Sequence, residues 1–418
     1  MKNILLFLCL ASITTLTHAR RCRFPIFENV AVADTFGSQT DESELITAYD
    51  LDTAYLLRKF DRTSDAYRIE VSRYQLQNGR LLRRDTLSNV PKAFSPRSSV
   101  FRKGRMFLCG FSQYVSTTFS DDSMVISPEK TNQYRKSRRY DRATFLDDST
   151  VLLYTIYNYH PADGIPGLYL YVLDLKTNTI TTEKYYKFSG VALSHLYHKW
   201  VHVVGEYIYI INPLTANLTI YDRFLNVRGQ LSTEALEGNI LKKQQAIQVQ
   251  YDEIVLSEHR RYEIMLADSA AKRATFDSRV YKKEFISNTI KRSRDSLEFV
   301  ENIFSFGTKS LAIVINQPQD DKNKLLVEID PVSGKRLCSR KWRVAPQDTI
   351  KSKNDLYVVD ISPNTGSDPH LRNGNLYFHS SFPFDNNPQG TFLEYTNRIV
   401  TNIEKSGFLW AVYRYSYL

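Results

Sequence analysis

The chain has 418 residues, a formal net charge of +10 at neutral pH, 42% apolar and 24% charged side chains, and four cysteines. That balance supplies ample core and excludes an intrinsically disordered chain. Four cysteines over this length also exclude a small disulfide-stapled scaffold.

In chain order, Lys2 and the apolar run 4–16 precede Thr17-His18-Ala19, the pattern of an export leader cleaved after Ala19. Cys22 invites a lipid anchor, but Arg20 and Arg21 stand where small residues are required, so anchoring through Cys22 is not expected. No later apolar run approaches the roughly 20 residues of a membrane helix. The mature chain is therefore expected to be soluble, in the periplasm or outside the cell, with no integral membrane segment. Residues 20–39 read as an extended lead-in, and 40–418 as one domain.

From about residue 45, short β-branched and aromatic runs alternate with polar turns. Four stretches, 67–87, 168–186, 325–342 and 391–404, each predict an antiparallel hairpin. Asn78-Gly79 is the strongest turn signal, because both residues tolerate positive φ. Two further hairpins are expected at 218–231 and within 261–281. Helical periodicity is scarce; 232–247 and 287–299 read as short helical excursions between hairpins.

The turn landmarks Gly79, Asp122, Asn178, Asn226, Ser269, Gly334 and Asn397 recur every 53 or so residues, about one four-stranded sheet plus its loops. Residues 198–231 lay out such a unit, with Tyr207 to Ile211 apolar on both faces, as a strand between stacked sheets must be. These units predict an all-β propeller, with seven blades expected over six. The apolar run 408–418 is expected to close the ring by joining the first blade. In the segments YVLDLKTNTI, LLVEIDPVSGKRL and LYVVDISP an apolar strand ends in Asp before a polar turn. On these segments the chain resembles the extracytoplasmic β-propellers of the TolB-like and YVTN-like kind.

Candidate chemistry is sparse. His195, His198 and His202 sit close together, but on a strand His195 points away from the other two, and HExxH is absent, so no metal is expected. GxSxG, phosphate-binding loops and calcium loops are likewise missing, and no cofactor is expected. Cys109, in RMFLCGF, reads as a buried core thiol. Asn217-Leu218-Thr219 fits a glycan acceptor, relevant to a eukaryotic source. The basic clusters at 135–142, 291–294 and 335–343 read as solvated loops and strand edges, with weak contact to anionic surfaces as the functional alternative.

The resemblance implies a non-catalytic binding or scaffold module for a protein, peptide or glycan partner; nucleic acid is not expected. The alternative is a lactonase, hydrolase or lyase with its site in the central funnel. Arg142, His195 and His198, at the starts of neighbouring blades, are the candidate ligand-binding residues, suited to an anionic or hydroxyl-rich group.

Overall fold

The computed structural model describes residues 24–37, 45–62, 66–91, 96–110, 113–118, 130–133, 140–157, 167–187, 201–211, 218–231, 299–305, 310–317, 323–344, 349–351, 356–358, 369–384, 391–395, 398–403 and 407–417. Every regular element among them is a β-strand. The expected leader, the helical excursion at 232–247, all of that at 287–299 except Phe299 (which opens a β-strand), the hairpin at 261–281, and residues His195, His198 and Asn217 lie outside the described residues.

After β1 (Pro25–Gly37), blade one comprises Leu45–Asp50, Thr53–Arg62, Ala66–Gln75 and Leu81–Pro91 (β2 to β5). Blade two comprises Pro96–Arg102, Arg105–Gly110, Gln113–Thr118 and Lys130–Gln133 (β6 to β9). Blade three comprises Arg142–Phe145, Thr150–Tyr157, Gly167–Asp174 and Thr179–Lys187 (β10 to β13). Blade four comprises Val201–Val204, Tyr207–Ile211, Leu218–Asp222 and Val227–Leu231 (β14 to β17). Blade five comprises Phe299–Ser305, Leu311–Asn316, Asn323–Ile329 and Arg336–Arg343 (β18 to β21). A short ladder, Thr349–Lys351 with Leu356–Val358 (β22, β23), follows. Blade six then takes His370–Arg372 (β24) and Asn375–Phe384 (β25), with a second ladder, Thr391–Tyr395 and Arg398–Ile403 (β26, β27), ahead of Gly407–Tyr417 (β28).

Blade six is ordered β24-β25-β28-β1. The C-terminal strand does not join blade one. It lies between β25 and β1, with Ala411 opposite Ala33 on one side and Ser380 on the other. The stretch read as a lead-in contains β1, the outer strand of this sheet.

The repeat has a local cause. In blades three and four the third strand ends in Asp174 or Asp222, and in blade five Asp330 directly follows it; each carboxylate accepts backbone N–H bonds from the turn that follows. Asp174 receives Lys176 and Thr177 at 2.7 and 3.0 Å, and Asp330 receives Val332 and Ser333 at 2.8 and 3.2 Å. In blade one Gln75 stands at this point, and Asn78 serves the turn by accepting Arg80 N–H at 2.9 Å. Such side-chain turns satisfy donors that the strand ladder leaves open. The left-handed position falls to Gly79, Asn178, Leu225 or Gly334. At Gly334 a Cβ would come within 2.8 Å of Leu231 on β17, so the glycine serves the approach of blade five to blade four as well as the turn.

Sheets stack face to face around the ring. Blades one and two share a core of Leu57, Val71, Met106 and Leu108; blades two and three share Phe107, Tyr114, Val151 and Tyr171. At the next junction Lys184 of blade three lies over the Tyr221 ring of blade four and donates to Leu225 O at 3.1 Å. Blades four and five share Ile211, Ile220, Ile303 and Ile313. Trp342, Phe378 and Tyr415 join five to six, and Leu56, Tyr74, Trp410 and Val412 join six to one.

Six blades, not seven, therefore make the ring. The seventh landmark, Ser269, lies outside the described residues, between β17 and β18, and no sheet intervenes there because blades four and five pack directly. Asn397 marks no new blade either, since β26 and β27 are an insertion between two strands of blade six. The middle strand Tyr207–Ile211 has Ile208 to Ile211 all buried, as its two apolar faces require.

Candidate functional site

The first strands β2, β6, β10, β14, β18 and β24 line a central cavity of about 1440 Å³. Antiparallel order fixes its two ends. At one lie the turns from first to second and from third to fourth strand; at the other, the starts of the first strands.

The turn end is stitched across four junctions. Between blades six and one, Arg372 forks onto Asp52 at 3.0 and 3.1 Å, and His370 Nε2 lies 2.6 Å from Leu51 O. The Arg372 hydrogen bond is the main influence lowering the Asp52 carboxyl below its ordinary value. His370 stacks on Tyr49, whose hydroxyl is 3.2 Å from His379 Nδ1; burial lowers the His370 pKa. Between blades one and two, Gly104 N–H donates to Asp50 Oδ2 at 3.0 Å. Between two and three, Lys103 and Arg102 hold both oxygens of Asp148 at 2.5 and 2.7 Å and bring its pKa down to about 2. Arg223 of blade four approaches Asp147 of blade three at 3.8 Å.

At the opposite end β6 and β10 lie side by side. Ala143 N–H donates to Ser98 Oγ at 3.2 Å, and the Ser98 hydroxyl reaches Asp141 O at 3.5 Å. Arg97, next to Ser98, and Arg142, next to Ala143, both line the cavity. Among the described residues neither has an ion-pair partner. Glu301, the carboxylate near the start of β18, is held by Lys324 at 3.2 Å. Tyr154, opposite Arg142 in register, and Tyr209 add rings to the wall.

Of the residues singled out from sequence, Arg142 is where it was expected, at the start of a channel-lining strand. Arg97 was missed, although it too stands at the start of a first strand, in PRSSVFR. His202 is buried in the wall on β14. Cys109 is a free, fully buried thiol, its pKa raised chiefly by burial. Among the described residues no group of three or more His, Cys, Asp or Glu side chains is placed to hold a metal ion. No helix among them is long and apolar enough to cross a membrane.

No protein-family model matches the chain, and no curated protein matches it. Among solved structures it is similar to a member of the DUF4221 family from Bacteroides vulgatus, at 9% identity, over 95% of this chain and 99% of that one, with a TM-score of 0.44. It is also similar to the WD40 domain of Toxoplasma gondii coronin, at 7% identity, over 93% and 88%, with a TM-score of 0.41. A subtype N10 neuraminidase-like protein of a little yellow-shouldered bat virus is similar at 8% identity, over 94% and 98%, with a TM-score of 0.37.

Proposed function

We propose that this chain is an exported, non-catalytic propeller that binds an anionic protein, peptide or glycan partner at the arginine end of its channel. One observation carries the reading: Arg97 and Arg142 both line the cavity at the end opposite the turns, with no carboxylate paired to either among the described residues. A guanidinium group presents a planar, always-charged fork that can grip a carboxylate, sulfate or phosphate group through paired hydrogen bonds. His195 and His198, in the segment leading into β14, belong to this reading as further donors to the same ligand. Export rests on the leader pattern at 1–19 and on the Asp-ended strands that resemble TolB-like propellers, and it places the protein in the periplasm or outside the cell.

An enzyme would need acid–base groups free to reach a substrate. Of the channel-lining groups, Asp50, Glu301, His370 and His379 are engaged by Gly104, Lys324, Leu51 and Tyr49. Calorimetric titration with a heparin-derived oligosaccharide and with a polyglutamate peptide tests the binding reading. At least one should bind, with an affinity that falls as salt rises, since the contact is largely Coulombic. Failure of both at low salt would overturn the anionic assignment.

A further inference from the structure

Cys338, on the outer strand of blade five, is disulfide-bonded. The other described cysteine, Cys109, is free and buried, so the partner is Cys9 or Cys22, both outside the described residues. Three observations choose between them. The Phe24 ring lies 3.9 Å from the Arg340 guanidinium carbon, and Phe24 and Phe27 pack on the core that contains Trp342. Cys338, Arg340 and Trp342 alternate along β21 and therefore share the face turned to blade six.

The directions also agree. Pro25, which opens β1, pairs with Tyr417, while Asn375, just past a first-to-second-strand turn, pairs with Ser416; β1 thus begins at the turn end. β21 leaves its own turn at Arg336, so Cys338 lies nearer that end than Arg340. Cys22 stands two residues ahead of Phe24 in the sequence, as Cys338 stands two residues ahead of Arg340 on β21. Cys9 stands fifteen residues ahead of Phe24, so the spacing favours Cys22.

We propose that Cys22 and Cys338 form a disulfide that pins the chain ahead of β1 to blade five. β1 is the outer strand of blade six, so the bond fastens the edge of one blade to its neighbour across the junction at Trp342. A sulfur held in this bond cannot carry a thioether lipid, so the pairing also decides between a released and an anchored protein. Formation takes one electron and one proton from each thiol, and a disulfide oxidant such as glutathione disulfide accepts both pairs and leaves as two thiols. Oxidants of this kind prevail outside the cytoplasm. The inference is independent of the arginine end and stands or falls without it.

The full chain, reduced and then reoxidised with glutathione disulfide, provides the test. On oxidation the thiol count in denaturant should fall by two, and an unreduced peptide map should join the peptides containing Cys22 and Cys338. Cys338→Ser and Cys22→Ser should each lower the thermal midpoint by about the same amount, on the order of 5 °C, and the double variant by no more. In protein recovered from the exporting cell the Cys22 peptide should carry no lipid mass. A bond from Cys338 to Cys9 or to a second chain, an unchanged thiol count, or an acylated Cys22 would each overturn the proposal.

Discussion

Trp410→Ala is expected to lower unfolding stability by about 3–5 kcal/mol, the range for removing a large buried aromatic side chain. Trp410 is 1% exposed and belongs to β28, but its neighbours span three parts of the chain. Its cluster takes Ala31 and Val32 from β1, and Leu56 and Tyr74 from blade one. Its indole N–H donates to Thr47 Oγ1 on β2 at 2.9 Å. The substitution therefore opens a cavity at the junction between the last blade and the first. A domain stable by about 5–15 kcal/mol would lose a large share of its margin. Trp410→Phe keeps most of the apolar volume and should cost much less. Urea midpoints with unchanged slopes check both; equal, small effects would mean that this junction is not a seam the fold depends on.

Asp85→Ala is expected to cost about 3 kcal/mol, through charge rather than volume. Asp85 is 1% exposed, and its two oxygens lie 2.6 Å from Arg73 and 2.6 Å from Arg83. Removing the carboxylate leaves two guanidinium groups close together, one of them 15% exposed, without the buried anion they both contact. Replacing all three with apolar residues, Arg73→Met, Asp85→Leu and Arg83→Met, should be milder than Asp85→Leu alone, because the two neighbouring cations go with the anion. Chemical denaturation of the single and triple variants measures this coupling; simple additivity would contradict it.

Much of the ring was legible because its turns are chemically marked. A strand closed by Asp174 or followed at once by Asp330 announces the carboxylate that holds the next turn, and Asn78-Gly79 announces a left-handed residue. These signals are local, and local signals survive in one sequence. The blade count was not local. It depends on which sheets touch, and the packing of Ile220 on Ile313 across the long segment 232–298 leaves no trace in spacing. β1 was missed for a related reason, since Pro25–Gly37 pairs with a strand almost four hundred residues away. At the channel, Arg142 could be read as the opening residue of a strand. Arg97 looked like one arginine among many until the ring put its strand, like that of Arg142, on the channel wall.

The central claim is that one end of the channel is fastened and the other is left to bind. Its most direct test measures the affinity of one anionic probe, a heparin-derived oligosaccharide, for the wild type and two double variants. Arg97→Ala/Arg142→Ala empties the open end, and Arg102→Ala/Lys103→Ala removes a similar charge from the stitched end, where Asp148 already engages it. The first variant should bind at least about tenfold more weakly, which corresponds to about 1.4 kcal/mol, with its unfolding midpoint unchanged. The second should bind within about twofold of the wild type. Equal losses in both variants, or a loss confined to the second, would contradict the account.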